Sequence, residues 1–285
     1  LSIFDFSLNE IENLPPLPPS ITQITGTGNM IKHCATCHTP KLKQILLMKN
    51  QLDAFPIFAE NQISEFFVMQ NRISELSIHS FSSTITRINA TQNNITEIPE
   101  HIFTQFPKLA HLNLAKNGIS TIPLSFKYSS IVCLDISENP IESFPEGCFP
   151  ESFVALYCSY TKIKKLPEQL AQLPNFETLV ACGNSLSYLP PAPNLRKLIL
   201  SNNSFTTFPP NIAKTLIILD FSCNQITELP DDLVFSSLLE VDFSYNQITK
   251  LPQNSECVRL KTLKLSHNPI EGVLDLQNSP FLDSV

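Results

Sequence analysis

The sequence predicts an α/β-type solenoid, with short parallel strands stacked into a sheet on a concave face and little α-helix. Three observations lead to this prediction. An apolar pattern recurs thirteen times along the 285 residues. Asparagine occupies the same place in twelve of these recurrences. The chain also has 23 prolines and only 6 glycines, a balance that favours extended segments over tight loops.

The recurring unit reads L-x-x-L-x-L-x-x-N-x-L-x-x-L-P, where L is any apolar residue, and its positions are numbered 1 to 15. The first unit begins at Leu1 and the thirteenth at Leu260, and successive position-9 residues lie 19 to 24 residues apart. Position 9 is Thr161 in the eighth unit. In the other units it is an asparagine, and these form a predicted structural ladder: Asn9, Asn29, Asn50, Asn71, Asn93, Asn117, Asn139, Asn184, Asn203, Asn224, Asn246 and Asn268.

Each part of the unit predicts one element. Positions 4 to 6 predict a strand, because alternate side chains point to one side of a sheet. Stacked units then pair their strands in parallel, and the rest of each unit supplies the crossover. The position-9 amide can bond to buried backbone groups, which would cost about 1–3 kcal/mol each if left unpaired. Proline at position 15 of ten units predicts 3-10 and polyproline-like segments on a convex side.

This pattern resembles the leucine-rich-repeat superfamily over the whole chain. The resemblance implies a horseshoe-shaped solenoid that recognises proteins. We expect a single domain over 1–285, with thirteen repeats and the start of a fourteenth at Leu282–Val285. The longest unit, the fifth, predicts one helical turn at Glu100–Phe103. Because neither end shows the polar cap that a solenoid needs, we also expect the chain to be a fragment of a longer protein.

The side chains that the fold does not require predict the binding surface. Position 5 faces solvent, yet it is apolar in units three and four and again in units eight to ten, and Ile218 at position 3 extends the second stretch into unit eleven. Contiguous exposed apolar side chains often mark a partner site, and Tyr and Met are favoured there. The predicted partner-binding residues of the concave groove are Leu46, Met48, Phe67, Met69, Asp135, Tyr157, Tyr160, Val180, Ile199, Ile218, Asp220, Asp242 and Lys264.

The adjacent aspartates of this surface allow two interpretations. Asp220 and Asp242 occupy position 5 of neighbouring units, where like charges are unfavourable unless a cation such as Lys264 answers them. They could bind a basic group of a ligand. The family, however, commonly has L-D-L-S at this place, and the chain has similar segments, so a structural role is favoured.

One local motif resembles a cofactor site. His33-Cys34-Ala35-Thr36-Cys37-His38 contains the C-x-x-C-H pattern of haem attachment and four potential metal ligands. Haem, zinc and a local disulfide are all minor alternatives, because Cys34 simply fills the apolar position 14 of its unit. We therefore expect no cofactor and no metal.

Composition and residue patterns narrow the function classes. A net charge of −7 argues against nucleic-acid binding, and no apolar run approaches a membrane span. We find no nucleophile–base pair or phosphate loop, so we expect neither enzymatic activity nor a small-molecule substrate. The eight cysteines do not match between adjacent units, which favours reduced thiols and a cytoplasmic location.

Three functions remain open. The leucine-proline ending of the unit resembles intracellular signalling scaffolds, which implies a protein-interaction module. It also resembles the substrate-targeting arrays of phosphatases, kinases and bacterial ubiquitin ligases, the last through Leu14-Pro15-Pro16-Leu17-Pro18. A receptor ectodomain is the third alternative. Glycans at Asn89, Asn94 or Asn202, which begin the N-x-S/T sequons, would support it.

Overall fold

A computed structural model gives the fold and describes residues 1–33, 36–77, 82–210, 212–230, 237–251 and 259–271. The chain divides into two compact units. From here on, a unit is one of these two parts, and each recurrence of the sequence pattern is called a repeat. The first comprises Leu1–Ile141 and Gly147–Pro150, and the second comprises Glu142–Glu146 and Glu151–Val285. Position 14 of the second repeat (Cys34), Cys257 and the start of a fourteenth repeat lie outside the described residues. The single domain over 1–285 stays a prediction.

Short parallel strands make up the first unit. Its main sheet is formed by β1 (Ile3–Asp5), β2 (Gln23–Thr25), β4 (Gln44–Leu46), β6 (Glu65–Phe67), β7 (Arg87–Asn89), β8 (His111–Asn113) and β9 (Cys133–Asp135). A separate parallel pair joins β3 (Cys37–His38) to β5 (Phe58–Ala59) on the return segments. The only α-helix among the described residues of this unit is α1 (Ile102–Gln105), and a 3-10 helix covers Leu124–Tyr128.

The second unit repeats this architecture. Its parallel sheet contains β10 (Ala155–Tyr157), β11 (Thr178–Val180), β12 (Lys197–Ile199), β13 (Ile218–Asp220), β14 (Glu240–Asp242) and β15 (Thr262–Lys264). A 3-10 helix covers Glu168–Gln172. The predicted fold class, a parallel-sheet solenoid with almost no helix, is confirmed. The predicted helical turn of the fifth repeat falls at α1, two residues later than the sequence indicated.

The core lies between each sheet and its return segments. Position 4 is the middle residue of every main-sheet strand, and it is buried in all of them except Phe4. Phenylalanines fill the wider space behind the sheet. In the first unit the Phe126 ring lies 5.3 Å from Phe103 and 5.8 Å from Phe149, measured between centroids. In the second unit Phe153 stacks on Phe176 at 6.1 Å. These contacts explain how 20 phenylalanines replace tryptophan in this core.

The position-9 asparagines join consecutive repeats through hydrogen bonds. Asn50 shows the arrangement: its Nδ2 donates to the Gly26 oxygen (2.9 Å) and the Leu47 oxygen (3.2 Å), and its Oδ1 accepts from the Ile31 N–H (3.1 Å). One side chain thus satisfies backbone groups of its own repeat and of the one before. Thr161 replaces this with a hydroxyl, which lies 3.1 Å from the Cys158 oxygen and 2.7 Å from the Asn184 Oδ1.

Position 8, just before the asparagine, has a left-handed backbone in all thirteen repeats. The φ angles there lie between 53° and 71°, and only Gly28 and Gly183 are glycines. This turn lets the position-8 N–H reach the position-7 oxygen of the next repeat, as Lys49 does with Met69 at 2.9 Å. The other eleven position-8 residues are not glycine, yet they adopt a conformation that usually favours glycine. The turn therefore contains local backbone strain.

Candidate functional site on the strand face

The candidate site is the solvent-facing side of the main-sheet strands in each of the two units, which we call the strand face. It is formed by the side chains at positions 3, 5 and 7, because position 4 points into the core and its neighbours point outward. The predicted residues Leu46, Phe67, Tyr157, Val180 and Ile199 all occupy position 5 and are half-buried. Met48 and Met69 are at position 7, Ile218 is at position 3, and exposed Tyr160 is at position 8.

In the first unit, four apolar side chains of adjacent strands form what we call the methionine cluster: Leu46, Met48, Phe67 and Met69. Leu46 of β4 pairs directly with Phe67 of β6. Met48 and Met69 lie two residues further along their repeats, at position 7. The backbone oxygen of Met69 accepts a hydrogen bond from the Lys49 N–H. All four side chains are half-exposed, so the sheet presents a continuous apolar surface in these two repeats.

Polar groups on the strand face of the first unit bind one another, both beside the methionine cluster and on the strands that follow it. The Gln44 amide donates to the Glu65 carboxylate at 2.6 Å, and Arg87 lies 3.9 Å from the same carboxylate. Asn113 donates to Asp135 at 3.0 Å. Burial, with a smaller contribution from the Arg87 charge, lowers the pKa of His111. Several charged and amide side chains on the strand face of the first unit are therefore paired with one another.

The second unit carries an uninterrupted row of apolar side chains, which we call the apolar row: Tyr157, Val180 and Ile199. These residues pair in register across β10, β11 and β12. Ile218 stands one strand further on, at position 3 beside Lys197. At the edge of the face, the Tyr160 ring lies against Gly183, where an added Cβ would fall 2.3 Å from the ring. Gly183 thus makes room for the tyrosine.

The aspartates continue the same line of position-5 residues. Asp220 pairs with Ile199 on one side and with Asp242 on the other. The Oδ1 of Asp220 accepts from the Ser222 N–H at 2.8 Å and lies 2.7 Å from the Ser222 hydroxyl. Asp242 makes the same turn with Ser244, and Lys264 lies 3.3 Å from its other oxygen. These bonds to the following serine give the aspartates a structural role at the strand end.

The C-x-x-C-H motif does not assemble a metal-binding group within the described residues. Cys34 lies outside them. His33 is 3.4 Å from Asp53 and His38 is 3.6 Å from Glu60, and these are separate exposed pairs. Burial raises the pKa of the Cys37 thiol. Across the described part of the chain, no three His, Cys, Asp or Glu residues group as metal ligands. No helix in that part is long and apolar enough to cross a membrane.

The position-8 edge of the strand face contains residues that sequence reasoning missed. Tyr245 and His267 occupy position 8 of adjacent repeats, and their rings stack at 4.1 Å between centroids. Both are exposed. A signal existed in the glycines at the same position of two repeats and in Asn202, residue types that tolerate a positive φ. The varied residues elsewhere at position 8 hid it.

Comparisons with known proteins agree with this geometry. Family models described as leucine rich repeat match residues 83–141 and 194–214. Bovine osteomodulin (Bos taurus) is 29% identical over 169 residues, which cover 56% of this chain and 40% of osteomodulin. Lumican from Mus musculus is 30% identical over 145 residues, covering 48% of this chain and 43% of lumican. The chain thus spans less than half the length of these relatives.

Solved structures share the fold over nearly the whole chain. YopM from Yersinia enterocolitica superposes with a TM-score of 0.74 at 25% identity, covering 99% of this chain and 63% of YopM. Toll, in the Drosophila Toll–Spatzle complex, gives a TM-score of 0.73 at 19% identity over 100% of this chain and 45% of that one. FLRT2, in a complex with Latrophilin 3 and Unc5D, gives 0.69 at 21% identity over 84% and 80%. The repeat pattern, the fold, the two family-model matches and the relatives all support the leucine-rich-repeat superfamily.

Proposed function

We propose that this chain is a protein-recognition module that binds its partner through the strand face. The observation that carries the proposal is the apolar row: three half-exposed apolar side chains, Tyr157, Val180 and Ile199, aligned on consecutive strands of a hydrogen-bonded sheet. The methionine cluster provides a second apolar surface of the same kind in the first unit.

Physical chemistry supports this use of the apolar row. Apolar area removed from water contributes about 25 cal/mol per Å², and the core of an interface is where most of that area is buried. A sheet whose strands are locked by backbone bonds and by the asparagine ladder holds its side chains in place before binding. Little conformational entropy is then lost when a partner docks, which favours affinity.

The relatives are consistent with protein recognition. Toll is seen with Spatzle, and FLRT2 is seen with Latrophilin 3 and Unc5D. Each of these is a complex of a leucine-rich-repeat protein with other proteins. For the present chain we propose the same general activity, with the concave face as the contact surface and the cytoplasm as the location. The free thiols of Cys133, Cys148, Cys182 and Cys223 favour a reducing compartment.

Quantitative affinity capture tests the proposal. Immobilised wild-type chain and the Tyr157→Ala and Phe67→Ala variants are compared as baits in extracts of the source organism, and captured proteins are measured by mass spectrometry. A partner of the strand face should be captured at least fivefold less by one of these variants, since truncating an interface aromatic costs more than about 1 kcal/mol.

Two controls separate binding from folding. Tyr128→Ala removes an equally large side chain that is 69% exposed on a return segment, and it should leave capture unchanged. Leu198→Ala empties a fully buried position between Lys197 and Ile199 and should instead cost about 2–5 kcal/mol of unfolding free energy. If Tyr128→Ala abolishes capture and both strand-face variants retain it, the contact surface is not the strand face.

A further inference from the structure

We infer that Asp220 receives a lysine or arginine side chain from the partner, so that this chain recognises segments in which a basic residue lies close to an apolar one. This inference rests on the proposed function and names the chemistry of the partner. The apolar row supplies the docking surface, and the charge at its end specifies what docks.

Four position-5 aspartates, Asp5, Asp135, Asp220 and Asp242, accept a hydrogen bond from the N–H of the serine two residues later. They differ in their cross-strand contacts, and Asp5 lies beside Thr25 rather than beside the apolar row. Asp135 also accepts a hydrogen bond from the Asn113 amide at 3.0 Å. Asp242 also has the Lys264 ammonium at 3.3 Å. Among the described residues, Asp220 has hydrogen bonds only from Ser222, and both go to its Oδ1. Its Oδ2 and its negative charge are therefore available to a ligand.

Asp220 lies where a partner on the apolar row would reach it. It pairs in register with Ile199, the last member of the row. Adjacent strands are separated by about 4.8 Å, so Asp220 is about 14 Å from Tyr157 and about 5 Å from Ile199. An extended segment covers the longer distance in about four residues. The partner's basic residue should thus lie within four positions of its apolar anchor.

The charges on the following strand favour a cation at Asp220, whereas Lys197 on the preceding strand lies beside Ile218 rather than beside Asp220. The neighbouring Asp242 is matched by Lys264, and the exposed Glu240 adds a further negative charge on the same strand. A cationic side chain would relieve the repulsion between these adjacent carboxylates. When the apolar row is covered, water leaves the site and the attraction between the two charges strengthens. The overall net charge of −7 acts in the same direction.

A selection from random dodecapeptides displayed on phage tests the inference. The full chain is the target, and the peptides most enriched are sequenced and synthesised with a fluorescent label. We expect Arg or Lys within four positions of Phe, Tyr, Leu or Ile. Asp220→Asn should weaken binding of the enriched peptide about tenfold at low salt, and 0.5 M NaCl should remove most of that difference.

The chain itself shows that asparagine preserves the fold at this position. Asn89 and Asn113 occupy position 5 and accept the same turn hydrogen bond, from the N–H groups of Thr91 and Ala115. Asp135→Asn makes the same chemical change in the other unit and should leave peptide binding unchanged. Lys264→Gln releases the charge of Asp242 and should strengthen binding a few-fold.

The outcomes separate this inference from the proposed function. If Tyr157→Ala weakens peptide binding but Asp220→Asn does not, recognition is purely apolar and the inference is wrong while the proposed function stands. If neither variant changes binding, the peptides bind elsewhere and both fail. A selection that enriches no peptide, or peptides without basic residues, also overturns the inference.

Discussion

At the scale of single residues, the amide of one position-9 asparagine satisfies at least three backbone groups. Asn224 donates to the oxygens of Leu200 and Phe221 at 3.0 Å each, and it accepts from the Phe205 N–H at 3.1 Å. All of these groups are shielded from water. The ladder therefore couples each repeat to the one before it by hydrogen bonds as well as by apolar contact.

Asn224→Ala should destabilise the second unit by about 2–4 kcal/mol, because it leaves buried backbone groups unpaired. Asn224→Thr should cost less, since Thr161 fills the same position in the native chain. Urea unfolding followed by circular dichroism measures both. The control is Gln225→Ala, an exposed neighbour that should change stability by less than about 0.5 kcal/mol. Equal effects of alanine at the two positions would contradict the ladder's role.

The left-handed position 8 gives a second prediction at this scale. Gln92 has a φ of 58°, a region that β-branched residues strongly disfavour. Gln92→Val should lower the free energy of unfolding by about 1–2 kcal/mol. Gln92→Lys should be nearly neutral, because Lys49 and Lys116 adopt this conformation natively. Thermal unfolding of the two variants decides; a valine as stable as the lysine would mean that the turn relaxes easily.

Positions 8 and 9 show where prediction from sequence succeeds and where it stops at single residues. Position 9 is visible because its hydrogen bonds require an amide, so the residue type itself repeats. Position 8 is defined by a backbone angle, which Leu8, Lys49 and Glu138 adopt without any shared side-chain chemistry. The same limit applies to Asp220, whose distinctive feature is the lack of a cross-strand contact that Asp135 and Asp242 have.

At the scale of elements, the place of each strand was predictable, whereas the return segments were predictable in kind but not repeat by repeat. Each main-sheet strand is centred on an apolar position 4, and that alternation is readable in the sequence. The position-15 prolines predicted 3-10 turns there, and the 3-10 helices Leu124–Tyr128 and Glu168–Gln172 directly follow Pro123 and Pro167. The pairing of β3 with β5 had no distinct sequence signal. The conformation of each return segment depends on its length and on which of its side chains reaches the core.

The 3-10 helix Leu124–Tyr128 offers a test of that view. Phe126 is fully buried between the rings of Phe103 and Phe149. Phe126→Ala should therefore cost about 3–5 kcal/mol of unfolding free energy. Tyr128→Ala, in the same helix but 69% exposed, should cost less than about 0.5 kcal/mol. Chemical denaturation of the two variants measures the difference. Similar losses would mean that the helix, rather than the buried ring, supplies the stability.

At the scale of the whole molecule, the recurring apolar pattern predicted a solenoid, because a repeating template fixes about half of each repeat for the fold. It could not identify the binding partner, since that information lies in the strand-face residues that the template leaves free. Position 5 accepts both an apolar residue such as Leu46 and a polar one such as Asn89, and in the sheet both of them flank Phe67. The sequence named the two apolar stretches, and the structure adds their register and their half-exposure.

The thiols provide a prediction for the whole chain in its proposed cytoplasmic setting. Burial raises the pKa of Cys148 to about 12, and its side chain is inaccessible to solvent. At pH 8 this thiol stays protonated and should react with iodoacetamide only on unfolding, whereas the half-exposed Cys182 and Cys223 should react in the folded chain. Since the fold disfavours the thiolate, the stability that Cys148 contributes is present below about pH 9 and is lost as the pH rises towards 12.

Mass spectrometry of labelled peptides from protein prepared without reductant measures the extent of labelling at each cysteine. Cys182 or Cys223 recovered in disulfides would contradict the proposal of a reducing compartment, and rapid labelling of Cys148 at pH 8 would contradict its place in the core.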